Sequence, residues 1–173
     1  MIQFEKPSYK ITDYVEKDNY GKFELEPLER GFGYTIGNAL RRVLLSSLPG
    51  SAITSVKIDG ILHEFQTIEG VVEDVTTIVL NLKGVIIKKH TDEDKIIKLS
   101  KDKEGVLTAG DIVCDADVEI VNPDHVIANI AKGGKLDMEM TVSSGRGYVR
   151  AEENKKLLSD KKIGVIADRK SVV

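Results

Sequence analysis

Cysteine is almost missing from this sequence: Cys114 is the only one in 173 residues. A disulfide framework and a thiolate metal site are therefore excluded, and the usage suits a reducing cytosol. Tryptophan is absent and aromatic residues make up 5%. Lysine and arginine are scattered and not interleaved with stackable rings, so direct reading of nucleic acid is not expected. Excess charge is lacking too. A net charge of −3 makes no electrostatic case for nonspecific binding to nucleic acid or to a membrane surface. No apolar stretch approaches the roughly 18 residues of a membrane span. The start, MIQFEKPSYK, has no apolar run of the kind a signal peptide carries. Short-period repeats and low-complexity tracts are absent. The expectation is a cytoplasmic protein without a membrane partner.

What is present is an ordinary globular mixture, 31% charged and 41% apolar, in a length that suits one domain or two small interleaved ones. One stretch organises the rest: Leu25 to Gly50, LEPLERGFGYTIGNALRRVLLSSLPG. Ile36, Leu40, Val43, Leu44 and Leu48 recur at spacings of three and four, the helical period. Thr35 is the expected N-cap. Pro49-Gly50 stops the helix, because proline has no amide to donate and glycine tolerates the exit. Gly37, inside the helix, costs roughly 0.5–1 kcal/mol relative to alanine, which a close backbone neighbour explains. Arg41 and Arg42 point about 100° apart; either they are two solvated arginines at a helix edge, or one of them faces another protein.

Around that helix the chain is rich in strands. Pro7 and Lys17-Asp18-Asn19 bracket one, and Lys22 to Glu26 alternates with Phe23 and Leu25 on one face. Ala52 to Ile58 is read as a strand, Asp59-Gly60 as a hairpin turn and Ile61 to Gln66 as its returning partner. Val71, Val75, Ile78, Val79 and Leu82 make the stripe of a second helix, with Gly84 at its left-handed end. From Val85 to Val142 the pattern reads as an antiparallel meander, ending in the clean alternation of Leu136, Met138, Met140 and Val142. Ser143 to Gly147 reads as a loop, Ala151 to Lys162 as a charged connection, and Ile163 to Ala167 as a further strand. The class is α+β. The first 50 residues and the last few look like parts of one unit, interrupted by an insertion.

Candidate chemistry is sparse. Gly31-Phe32-Gly33 with Gly37 does not have the G-x-G-x-x-G spacing, and no phosphate-binding lysine follows. Asp59, His63 and Glu64 are close in sequence and would be the centre of a stand-alone enzyme, but the strand reading puts His63 and Glu64 on opposite faces. His90 and His125 read as solvated surface. Glu69, Glu73 and Asp74 suit the positive end of the second helix. No clustered aspartates resemble a two-metal centre, so catalytic, metal and cofactor roles are not expected of this chain.

Beyond periodicity, the 25–50 stretch resembles the signature of the bacterial RNA polymerase alpha subunit, N-terminal domain. Further blocks agree in order: IDGILHEF at 58–65, EGV at 69–71, LNLKG at 80–84, VEIVNP at 118–123 and GRGYV at 145–149. The resemblance implies a discontinuous dimerisation domain of strands plus a long helix, residues 1–50 and 163–167. It implies an inserted antiparallel β-rich domain with one helix at 51–162. It further implies a noncatalytic scaffold, a homodimer on which the beta and beta-prime subunits assemble for DNA-templated transcription, with DNA contacted only through the complex. The nucleotidyltransferase activity would belong to the complex, carried by its large subunits.

Carried over by position, Glu29, Arg30, Arg42, Leu45, Glu64, Glu69, Gly70, Val71 and Lys83 fall on the beta-contacting stretches. Phe32, Ile36, Gly37, Leu40 and Val43 fall on the face that packs across the dimer, although a core position within one chain would give the same apolar pattern. The family pattern stops at Ala167. Residues 168–173 do not match it and are expected to be a non-native tail on a truncated chain. A free-standing dimeric binding module of the same fold is the alternative function.

Overall fold

The computed structural model describes residues 6–18, 20–157, 164–167 and 170–172. Ser8–Val15 (β1) and Tyr20–Glu26 (β2) form an antiparallel ribbon, joined through a 3-10 turn at Glu16–Asp18. Period-two alternation sorts its side chains. Tyr9 stands opposite Leu25 and Ile11 opposite Phe23, while Lys10 is opposite Glu24. Lys10 Nζ bonds Glu26 Oε1 at 2.8 Å, raising the lysine pKa and lowering that of the carboxyl. A bulge falls between Ile11 and Asp13.

The organising helix, α1, runs from Phe32 to Ser47, about 24 Å at 1.5 Å per residue. It begins before the expected N-cap, Thr35, which lies inside it. Gly31, at a φ of 95°, makes the turn that lets the Phe32 amide donate to the Glu29 carbonyl at 3.1 Å. The helix stops before Pro49, as the proline requires. The chain divides into two compact units, 1–44 and 45–173. In the first unit no described residue is buried, and only Leu28 and Ile36 are half-buried.

The second unit holds the core. Its elements in order are Pro49–Ile58 (β3), Val75–Leu82 (α2), Ile87–Lys89 (β4), Lys95–Lys101 (β5), Gly105–Thr108 (β6), Val118–Ile120 (β7), Val126–Ile130 (β8), Leu136–Val149 (β9), Ala151–Leu157 (α3), Val165–Ala167 (β10) and Lys170–Val172 (β11). β9 is the spine. It pairs antiparallel with β3 from Pro49↔Arg146 to Ile58↔Met138, with β5 from Lys95↔Val142 to Lys101↔Leu136, and with β11. β3 also holds β10, at Val56↔Ile166, and meets β4, which pairs with β7. β6 and β8 form a separate small sheet. The apolar positions 136, 138, 140 and 142 of β9 are buried, as are Val75, Ile78, Val79 and Leu82 of α2.

Several local expectations give way to this long-range pairing. Asp59-Gly60 does turn, with Gly60 at a φ of 75°, yet Ile61 to Gln66 forms no strand. One edge of β3 is occupied by β9 and the other by β10 and β4, so no edge is left for a hairpin partner. The Asp59 amide donates instead to the Asp137 carbonyl at 3.0 Å. The strands after Val85 are not a meander either: β4 and β5 are sequential but pair with different neighbours. Ser143 to Gly147 is strand: Ser143 to Arg146 pair with β3, and Gly147 begins the pairing with β11.

Residues 151–157 are helical, with Glu152 and Glu153 in the first turn; the rest of the expected connection, 158–162, lies outside the described residues, as do Asn19, Ile163, Asp168, Arg169 and Val173. Val71 precedes α2 and is half-buried. Gly84 is not among the glycines with positive φ. Its need is space: a Cβ there would come within 2.5 Å of the His125 ring.

Candidate partner-binding surfaces

α1 carries the first set of expected contacts. Phe32, Ile36, Leu40 and Val43 fall on one stripe, since steps of four and three keep to one helix face. Phe32, Leu40 and Val43 are 52%, 56% and 54% exposed, while Ile36 is half-buried. Leu44 and Leu45 extend the apolar surface. Around Gly37, an added Cβ would meet nothing within 4 Å, so the close neighbour expected from sequence does not come from the described residues of this chain. Glu29 and Arg30 lie in the turn before the helix, and Arg42 and Leu45 are one turn apart on it. Tyr9, Ile11, Tyr14 and Phe23 leave the ribbon similarly apolar and exposed. Exposed apolar residues grouped along one helix stripe are characteristic of a face that another surface covers.

The second set lies on an irregular segment, residues 61–74, pinned at several points. Gln66 Oε1 accepts from the Leu62 and His63 amides at 2.6 and 3.1 Å. Thr76 Oγ1 donates to the Glu64 carbonyl at 2.8 Å, and the Val75 amide to the Gln66 carbonyl at 3.2 Å. Further on, the Val72 amide donates to Asn129 O and the Ala131 amide to Gly70 O, flanking a bridge between Val71 and Ile130. Gly70, at a φ of 74°, presses its backbone against Gly134, and a Cβ on either would collide with the other's main chain. Held in this way, the segment presents Phe65 at 82% exposure, with Leu62 and Val72 also exposed, beside the exposed Glu64 and Glu69. Lys83 caps the far end of α2. The segment thus brings Glu64, Glu69, Gly70 and Val71 onto one stretch.

The remaining polar candidates settle into structural roles. Asp74 caps α2, with Oδ1 accepting from the Thr77 amide at 2.8 Å; hydrogen bonds from Thr77 hold its carboxyl below the usual range. Glu73, read from sequence as a helix-end charge, accepts from the Asn129 amide and from Asn129 Nδ2, each at 2.6 Å. This pair spans 56 positions, and nothing in the local pattern around either residue signals it. His125, read from sequence as solvated surface, is half-buried, with Nε2 2.8 Å from the Asn81 carbonyl. His90 lies 3.8 Å from Glu119. Asp59, His63 and Glu64 share no strand. Burial raises the pKa of Cys114, which disfavours the reactive thiolate. Among the described residues no three His, Cys, Asp or Glu side chains are grouped to hold a metal, and no helix is long and apolar enough to cross a membrane.

Fold and surfaces together define a protein whose polar network serves shape and whose apolar residues are set out for contact. Residues 56–167 match the family described as the RNA polymerase Rpb3/RpoA insert domain. Over 166 residues, 96% of this chain, it is 60% identical to the DNA-directed RNA polymerase subunit alpha of Moorella thermoacetica and of Symbiobacterium thermophilum, and 57% identical to that of Desulfitobacterium hafniense. The chain spans about half the length of these curated relatives, 52% in each case. It belongs to the bacterial RNA polymerase alpha-subunit family.

Proposed function

We propose that the chain is a noncatalytic assembly scaffold of DNA-directed RNA polymerase, working in the cytoplasm. The observation that carries this reading is the apolar stripe of α1, over half exposed at Phe32, Leu40 and Val43 in a family whose named members are polymerase alpha subunits. A second copy of the subunit covers the stripe at Phe32, Ile36, Gly37, Leu40 and Val43, and the absence of a side chain at Gly37 admits its backbone. Residues 1–50 and 163–167 belong to that dimerising part, with 51–162 inserted. The beta subunit takes Glu29, Arg30, Arg42 and Leu45, and also Glu64, Glu69, Gly70, Val71 and Lys83; beta-prime joins the assembled platform. Nucleotide transfer then belongs to the large subunits, DNA is reached only through the complex, and this chain supplies no cofactor site.

Co-purification with a tagged beta subunit tests the reading. Arg42→Ala is expected to weaken capture about tenfold, near 1.4 kcal/mol. Unchanged capture would remove Arg42 from the interface. A wild-type chain that dimerises but captures no beta would favour a free-standing binding module instead.

A further inference from the structure

The second unit contains a strand surrogate with no counterpart in the secondary-structure pattern. β8 has β6 on one edge, with Val106 opposite Asn129. On its other edge the segment 70–72 lies antiparallel. Ala131 donates to the Gly70 carbonyl at 2.9 Å and Val72 to the Asn129 carbonyl at 3.0 Å, the alternation of an antiparallel ladder. In a regular ladder the Asn129 amide would return a bond to the Val72 carbonyl. Here it goes to Glu73 Oε2 at 2.6 Å, and Asn129 Nδ2 goes to Oε1 at 2.6 Å. The carboxylate takes the carbonyl's place, and the chain is released at once into the Asp74 cap of α2. The Gly70–Gly134 contact closes the other end of the patch.

We propose that Glu73 and Asn129 form a latch that positions the 61–72 segment for its protein partner, Glu73 being a positioning residue that need not itself touch the partner. The proposal rests on the reading of Glu64 to Val71 as a beta-contacting face. Its physical content is preorganisation: a segment already held in its bound shape loses less conformational freedom on docking. A charge-assisted pair of hydrogen bonds to a half-buried amide is suited to that task.

The latch has a reversal test. Asn129→Asp sets two carboxylates face to face, and like charges at that distance repel. Glu73→Gln on that background restores both bonds: the main-chain amide at 129 still donates, to the new amide's oxygen, and only the side-chain bond has donor and acceptor exchanged. Glu73→Gln alone keeps an acceptor for the Asn129 amide and, with the asparagine amide turned, both bonds. Hydrogen exchange at the Val72 and Ala131 amides reports the latch, and beta capture reports the docking. Asn129→Asp is expected to speed exchange at both amides at least tenfold and to weaken capture about tenfold, while the double variant recovers both to within about threefold.

Exchange unchanged by Asn129→Asp overturns the latch. Faster exchange with unchanged capture, in a wild-type background that does capture beta, overturns the positioning role alone. No capture by the wild-type chain overturns the functional reading and this role together. Should Asn129→Asp fail to fold, Glu73→Ala replaces it with the same two readouts, and the same results support or overturn the proposal.

Discussion

Gly70 and Gly134 show how much can turn on an absent side chain. Each backbone occupies the space that the other's Cβ would fill, and Gly70 also needs its φ of 74°. Gly70→Ala is expected to destabilise the second unit by about 1–3 kcal/mol, since both strain and collision act; urea unfolding measures it. Asp111 supplies a pH prediction. Its Oδ2 accepts from the Thr108 amide at 2.9 Å and from Lys101 Nζ at 3.0 Å, and its pKa is lowered, chiefly by the Thr108 amide. A carboxyl with a depressed folded pKa contributes stability above its unfolded value, near 3.9, and loses that contribution as pH falls through the folded pKa. Asp111→Asn is therefore expected to lose less stability than the parent on going from pH 7 to pH 3, read by thermal unfolding. These residue-scale roles were only partly legible. Asp74 was legible as a charge suited to the start of the second helix, because that preference is local. Its cap on Thr77 was not, since the apolar stripe starts earlier, at Val71. Nor were the Glu73 pairing and the Gly70–Gly134 contact, because their partners lie about sixty positions away.

At the scale of elements, β9 and α1 are opposites. β9 is central, and Met140 is fully buried between β3 and β5. Met140→Ala is expected to cost about 2–5 kcal/mol, the range for emptying a close-packed site, as a lowered denaturant midpoint. On α1 the same kind of substitution has a different reading. Leu40→Ala removes an exposed side chain, so the chain's own stability should move little, within about 0.5 kcal/mol, while sedimentation shows self-association reduced. A large loss of stability with unchanged association would place Leu40 in a monomer core. Helix α1 was legible over most of its length, its start excepted. The hairpin read at Asp59-Gly60 was not, since a turn signal fixes a turn but cannot reserve a free edge beside it.

For the whole molecule, burial is uneven. Every buried apolar residue of the described chain lies between Val56 and Ile166. Among the described residues of the 8–26 ribbon no side chain is buried, and a lone two-stranded ribbon is marginal in water. Under native conditions the amides of 8–26 should exchange at least tenfold faster than those of Val56 to Ile58 and Met138 to Val142. Adding the partner that covers them should slow the former selectively. Equal protection in the isolated monomer would show that the first unit is stable without one.

Residue order alone says which stretches are apolar, where most of two helices runs, that the chain turns at Asp59-Gly60, and that the chain belongs with the alpha subunits. Those properties reside in neighbouring residues and in ordered motifs. The tertiary structure decided what pairs with what: β9 as the spine, the lost hairpin, Ser143 to Gly147 as strand, and the latch between Glu73 and Asn129. Edges and cavities are filled in competition among segments far apart in the chain, and the outcome of that competition is set by packing, which no local pattern contains.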